Sequence, residues 1–176
     1  MTTLLGISGS LRKASTNTML IRHAAKVFQP DTFVEADINL PLYNGDLEEA
    51  EGIPAAVQLL SDQIIGADAV IIATPEYNKG ISGALKNALD WVSRTKGGRW
   101  RNKPVAIMSA AAGRAGGERS QFALRLAMMA FRPRILQGPE VLVASSGNAF
   151  DENGTLIEES YTKLLTELMD ELRSLT

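Results

Sequence analysis

Ala69-Val70-Ile71-Ile72-Ala73 is an apolar run with no polar break, and Thr74-Pro75 ends it at once. A strand wetted on one face alternates polar and apolar residues. An unbroken, β-branched run belongs instead to a strand buried on both faces, as in the middle of a parallel sheet. Parallel strands need crossover connections, and the flanking sequence supplies them. Upstream, Leu4-Leu5-Gly6-Ile7 is a first short run, followed by Asn17 to Phe28 with Leu20, Ala24, Val27 and Phe28 on one helical face. Phe33 to Ala36 reads as a short edge strand because it carries a charged residue. Pro54 then suits the first turn of a helix with Val57, Leu60 and Ile64 on one side. Downstream, Leu85, Ala88, Leu89 and Val92 have helical spacing, and Val105-Ala106-Ile107-Met108 is another fully apolar strand. Glu118 to Ala130 reads as a helix, and Ile135 to Val143 as a strand interrupted near Gly138-Pro139. A last helix carries Tyr161, Leu164, Leu168 and Leu172 on one face.

Five strands alternating with five helices predict an α/β fold. Right-handed crossovers leave few topologies, and the expected one is a flavodoxin-like three-layer sandwich on a five-stranded parallel sheet of order 2-1-3-4-5. The 176 residues fit a single domain over 1–176, with no repeat or low-complexity tract. The net charge of -2 and the absence of a basic run predict neither nucleic-acid binding nor attraction to an anionic membrane. No apolar stretch approaches the ~20 residues of a membrane span. The first residues show no basic region and no cleavage-like site, so a cytoplasmic location is expected. With no cysteine, disulfides, thiolate nucleophiles, zinc–cysteine clusters and iron–sulfur ligation all drop out.

In such a sheet, ligands sit beyond the carboxyl ends of the strands where the order reverses. The loop after the first strand, Ser8-Gly9-Ser10-Leu11-Arg12-Lys13-Ala14-Ser15-Thr16-Asn17, is rich in hydroxyls, carries two cations and holds no acid. Backbone N–H groups at a helix N-terminus, with Ser and Thr hydroxyls, form an anion site, and Arg12 adds a charge-assisted contact to phosphate. Capping alone would need only one such residue. Neither G-x-x-x-x-G-K-[ST] nor G-x-G-x-x-G is present, which disfavours a P-loop NTPase and a dinucleotide-type phosphate loop. The loop after the third strand, Thr74-Pro75-Glu76-Tyr77-Asn78-Lys79-Gly80, permits a tight turn at Asn78 and Gly80. Such a turn can offer backbone groups to a flat heterocycle. By itself it also reads as an ordinary strand-to-helix connection.

The stretch Gly9-Ser10-Leu11-Arg12-Lys13-Ala14-Ser15-Thr16-Asn17 resembles the G-S-x-R-x-x-S-x-N signature of the NADPH-dependent FMN reductase family. Pro75-Glu76-Tyr77-Asn78 with Leu85-Lys86-Asn87-Ala88-Leu89-Asp90-Trp91 is similar to its P-E-Y-N…L-K-N-A-[IL]-D-W signature, and Gly113-Arg114-Ala115-Gly116-Gly117 to its glycine-rich loop. The resemblance covers nearly the whole chain and is strongest to the bacterial quinone and chromate reductase branch. It implies that Ser10, Arg12, Ser15, Thr16 and Asn17 hold an FMN phosphate. It implies also that Pro75, Glu76, Tyr77 and Asn78 border the isoalloxazine ring and that Ser109 and Gly113 close the site. NADPH or NADH would be the co-substrate in a ping-pong cycle, and a small molecule such as a quinone or free flavin the electron acceptor. A homodimer or homotetramer is implied as well. Lys79 and Ser82 depart from the family pattern, which has an aromatic or histidine and a proline there, near the expected entrance for nicotinamide or acceptor.

Flavin hydride transfer asks for stacking and orientation more than for a side-chain acid or base. No general base is therefore expected, and His23, the lone histidine, reads as a packing or surface residue. Asp46, Glu48, Glu49 and Glu51 read as a solvated acidic loop, and no metal site is expected. Arg99, Arg101, Arg114 and Arg119 flank the expected site loops as possible attractors of nicotinamide phosphates. Trp91 reads as core or subunit contact, Trp100 as an exposed aromatic, and Arg125 with Glu140 as an interface pair. Two rivals remain at this level: a flavodoxin-type electron carrier, against which Arg12 argues, and a non-enzymatic interaction protein with the same fold, against which the hydroxyl-rich first loop argues.

Overall fold

A computed structural model describes residues 1–176. The strands are β1 (Thr3–Ser8), β2 (Thr32–Ala36), β3 (Ala69–Thr74), β4 (Pro104–Ala110), β5 (Arg134–Ile135) and β6 (Val141–Val143). The helices are α1 (Thr16–Phe28), α2 (Gly45–Glu51), α3 (Ala55–Gly66), α4 (Gly83–Arg94), α5 (Glu118–Met128) and α6 (Glu159–Arg173). The sheet is parallel in the order β2-β1-β3-β4-β5, with β6 also paired to β4. The expected order therefore holds, and the expected fifth strand is two short pieces. β5 pairs with the start of β4 (Pro104 with Arg134) and β6 with its end (Met108 with Val141). The chain between them holds Gly138-Pro139, and proline has no N–H to give the ladder.

Register explains the unbroken apolar runs. Leu5, Val70 and Val105 lie side by side across β1, β3 and β4, and so do Leu4 and Ala69 one step away. Leu4, Ile71, Ala106 and Met108 face a core shared with α1 and α6. Leu5, Ile7, Val70, Ile72, Val105 and Ile107 face the opposite core with α3, α4 and α5. Both faces are dry, so neither set of alternating residues has a use for polarity.

Several expectations change here. The acidic stretch is not a loop: Asn44 caps Asp46 N–H at 2.9 Å and starts α2, whose Glu48 accepts from Arg94 Nε (2.9 Å) and Tyr43 Oη (3.0 Å). Early acids suit a helix N-terminus, which is why this short helix tolerates Asp46 and Glu48 in its first turn. Trp100 is not exposed. Gly97 and Gly98, at φ 106° and 57°, turn the chain so that Trp100 falls back into the core, 2 % exposed, against the Phe131 ring at 6.4 Å. Arg99 and Arg101 lie in that turn, before β4 begins, and so at the sheet end opposite the carboxyl ends; Arg99 sits 3.8 Å from Asp62. Trp91 is core, edge-on to Tyr43, and donates to the Pro41 carbonyl at 2.7 Å. Within the chain, Arg125 donates to Leu136 O at 2.9 Å. His23 is buried on α1, its Nδ1 accepting from Leu156 N–H at 3.1 Å. No helix is long and apolar enough to cross a membrane.

Candidate functional site

Four connections meet beyond the carboxyl ends of the strands: β1–α1, β3–α4, β4–α5 and the one after β6. In the first, Gly9 N–H donates to Ala73 O at 2.8 Å, which splices the loop onto β3. A Cβ at Gly9 would lie 2.9 Å from Pro75 Cδ, so only glycine lets the two loops pass so closely. Ser82 Oγ donates to Gly9 O at 2.5 Å and accepts from Leu85 N–H at 3.1 Å. Ser82 is thus a buried N-cap that ties α4 to the first loop. Its departure from the family pattern is absorbed in this buried cap, 3 % exposed.

The N-terminus of α1 is built for an anion. Ser15 caps it by accepting from Thr18 N–H at 3.2 Å, and Met19 N–H reaches Ser15 O. The N–H groups of Thr16 and Asn17, first in the helix, have no helical partner, and no acid occupies the first turn. Ser10 Oγ accepts from Arg12 N–H, and Arg12 is exposed with no carboxylate paired to it. Asn17 corrects the expectation for its side chain. Its amide donates to Ala110 O at 2.9 Å and accepts from Ala110 N–H at 3.0 Å, so it clamps α1 to β4 and offers an anion only its backbone N–H.

On the opposite wall Pro75 is buried, and Glu76 turns its carboxylate to the α5 N-terminus, accepting from Arg119 N–H at 3.1 Å with the Arg119 guanidinium at 4.0 Å. Tyr77 and Gly80 exchange two backbone hydrogen bonds of 3.0 Å across a tight turn. The positive φ values fall on Asn78 (50°) and Lys79 (65°), not on Gly80 as the composition suggested. Tyr77 is half exposed.

Ser109 does not face the site. It is fully buried, donating to Gly116 O at 2.6 Å and accepting from Gln121 Nε2 at 2.9 Å. Gly116 and Gly117, both at positive φ, bring the loop so close that a Cβ would lie 2.5 Å from Leu142 backbone or 2.8 Å from Ser109 Cβ. Gly113 lies at the exposed end of that loop and accepts from Gly116 and Ser145 N–H groups.

These loops enclose a cavity of about 310 Å³. Of the expected residues, Ser10, Arg12, Ser15, Thr16, Asn17, Pro75, Glu76 and Tyr77 line it; Asn78, Ser109 and Gly113 do not. Ala110, Ala111, Ala112, Ser146 and Gly147 also line it and were not foreseen. Ser146 accepts from Thr16 Oγ1 at 3.2 Å, and its N–H donates to Ala111 O at 3.1 Å. Only its place after the final strand could have signalled it. One wall offers hydroxyls, free N–H groups and a cation; the others are small or flat and largely apolar. The set suits a phosphate ester that carries a planar ring. Neither the cavity nor its rim holds a histidine, and no three His, Cys, Asp or Glu side chains gather anywhere in the chain.

The model of the NADPH-dependent FMN reductase family matches residues 2–148. An NAD(P)H-dependent FMN reductase of Pseudomonas aeruginosa is 42 % identical over 172 residues, covering 97 % of this chain and 92 % of its own. A quinone reductase of Escherichia coli K12 is 38 % identical over 162 residues, covering 90 % and 86 %. Among solved structures, the flavoenzyme NAD(P)H:(acceptor) oxidoreductase FerB of Paracoccus denitrificans superposes with a TM-score of 0.88 at 31 % identity, covering 99 % and 97 % of the two chains.

Proposed function

The chain belongs to the NADPH-dependent FMN reductase family, and from that premise we propose how its residues serve the activity. It is an FMN-dependent NAD(P)H oxidoreductase that reduces quinones, free flavin or similar small acceptors. The observation that supports the assignment of parts is the single cavity joining the open α1 N-terminus and Arg12 to the Pro75–Tyr77 and Ala110–Ala112 walls.

In the proposed arrangement the N–H groups of Thr16 and Asn17, the hydroxyls of Ser10, Ser15 and Thr16, and the Arg12 guanidinium hold the FMN phosphate. The Pro75–Asn78 turn borders the ring, with Tyr77 presenting its phenol edge and Glu76 acting through the α5 N-terminus it caps. Ser109 and Gln121 act one layer behind, fixing the Gly113–Gly117 loop that closes the site. FMN, when bound, would supply the hydride chemistry between nicotinamide and acceptor. The residues bind, orient and exclude water. Donor and acceptor use the same place in turn, which gives ping-pong kinetics.

The remaining parts of the proposal are a single domain over 1–176, a cytoplasmic protein and a homodimer or homotetramer. Phe122, Leu126 and Met129, at 54 %, 70 % and 70 % exposure along one side of α5 and the turn after it, support the assembly.

The test is an absorbance spectrum after incubation with FMN and desalting, then anaerobic addition of NADPH and NADH. Retained flavin bands that bleach with either nucleotide are expected. Retained flavin that neither nucleotide reduces would make the protein an electron carrier, and no retained flavin would remove the assignment of the cavity altogether.

A further inference from the structure

A second and larger cavity, of about 610 Å³, opens on the other side of Arg12. It lies between the β1–α1 loop and the chain leaving β2, and Ser10 and Arg12 line both cavities. Nothing in the proposed FMN site uses it. Its lining is polar apart from Leu11, Ala36 and Ile38. Arg22 and Glu35 also line it, but they neutralise each other through two bonds of 2.7 and 2.9 Å. Beside Arg12, which the FMN phosphate takes, two charges are left over. Arg12 and Lys13 have no carboxylate paired to them, and Asp37 has no cation. Asp37 is aimed rather than loose: its Oδ1 accepts from Asn39 N–H at 2.8 Å, which leaves Oδ2 open. Leu11 is 53 % exposed beside them, an apolar surface with no protein partner of its own.

Two substrates must visit one flavin ring in turn, so whatever tells the donor from the acceptor lies off the ring. A quinone is small and flat and has nothing to place in a polar groove. A nicotinamide dinucleotide has a diphosphate, a second ribose and an adenine to place somewhere, and the α1 N-terminus is taken by the FMN phosphate. Resting on the FMN reductase reading, we propose that this groove binds the adenosine half of the nicotinamide donor. Lys13 receives the diphosphate, Asp37 Oδ2 accepts the adenosine ribose hydroxyls, and Leu11 supports the adenine. A carboxylate that accepts two hydroxyls repels a 2′-phosphate, so Asp37 biases the enzyme toward NADH over NADPH.

Lys13→Ala and Asp37→Asn test this, since both side chains are exposed and neither touches the FMN cavity. The first readout is kcat/KM for each nucleotide in the FMN-loaded enzyme. Lys13→Ala is expected to lower it about tenfold for both, the size of one lost charge-assisted contact. Asp37→Asn is expected to lower it for NADH and raise it for NADPH. The second readout needs no turnover: ADP-ribose binding to the protein by calorimetry, present in the parent and weakened in Lys13→Ala. FMN retention and kcat/KM for the quinone are measured on the same preparations and are expected to stay as in the parent. If flavin is retained but both variants keep their nucleotide constants within about twofold, the groove assignment is wrong and the reductase reading stands. If the parent retains no flavin, both fall together.

Discussion

Asn17→Ala separates two roles that the residue could have at the same position. The side chain is 3 % exposed and gives both its amide groups to Ala110, itself 2 % exposed. Truncation leaves the Ala110 N–H and C=O without partners at the end of β4. An orphaned buried polar group costs about 1–3 kcal/mol, so two give about 2–6. The cavity next to them admits water, which relieves part of that loss and puts the expected cost at about 2–4 kcal/mol. For a chain of this length that lowers the melting temperature by about 5–12 °C. Urea denaturation of the FMN-free protein is the assay, read as a shift in midpoint at constant slope. Removing FMN from the experiment is the point: a side chain that served only to hold phosphate would leave the stability of the empty protein unchanged. A loss below about 0.5 kcal/mol would refute the clamp and return Asn17 to the phosphate.

Arg12→Ala removes an exposed cation from the proposed phosphate site and is expected to weaken FMN binding about tenfold, followed by quenching of flavin fluorescence; an unchanged affinity would take Arg12 out of the site. Gly116→Ala forces a Cβ to within 2.5 Å of the Leu142 carbonyl at φ 60°, and is expected to destabilise by about 2–4 kcal/mol in thermal melts. Gly113→Ala, with nothing within 4 Å, is the control and should melt like the parent. Burial, followed by the nearby Lys26, pushes the His23 imidazole below its ordinary pKa. The unfolded chain then binds the proton more readily, so the contribution is complete above about pH 6.5 and is lost as pH falls from there toward the lower folded value. His23→Gln should flatten that acid limb in denaturation curves taken from pH 7 to pH 5; an unchanged limb would show that His23 does not titrate with folding.

The sheet was legible because the two faces of β1, β3 and β4 are both dry, and repeated runs of four or five apolar residues between helical segments point to strands buried on both faces. The β1–α1 loop stood out as a cavity wall because hydroxyls and cations without acids have a recognisable chemistry. What sequence could not separate was touching the site from holding it. Ser109, Ser82 and the side chain of Asn17 lie in or beside the expected site segments, yet each spends hydrogen bonds on neighbouring backbone. For Ser82 and Asn17 those partners lie 73 and 93 residues away, and no local spacing announces them. Ser146 and Gly147 were missed for the same reason, since they enter the cavity from the far end of the chain. Trp100 was misplaced because its glycine- and arginine-rich neighbours look solvated, while two left-handed glycines turn the indole inward.

The Tyr77–Gly80 turn satisfies its own backbone by exchanging both hydrogen bonds within itself, and its apex carries Asn78 and Lys79, both exposed. Those two side chains owe nothing to the scaffold; their only obligation is a left-handed backbone. The loops around them are spliced to one another through Gly9, Ser82, Glu76 and Arg119. The architecture thus divides into a chassis that resists revision and a small exchangeable tip at its mouth. Side chains on that tip can be exchanged without renegotiating the fold beneath it.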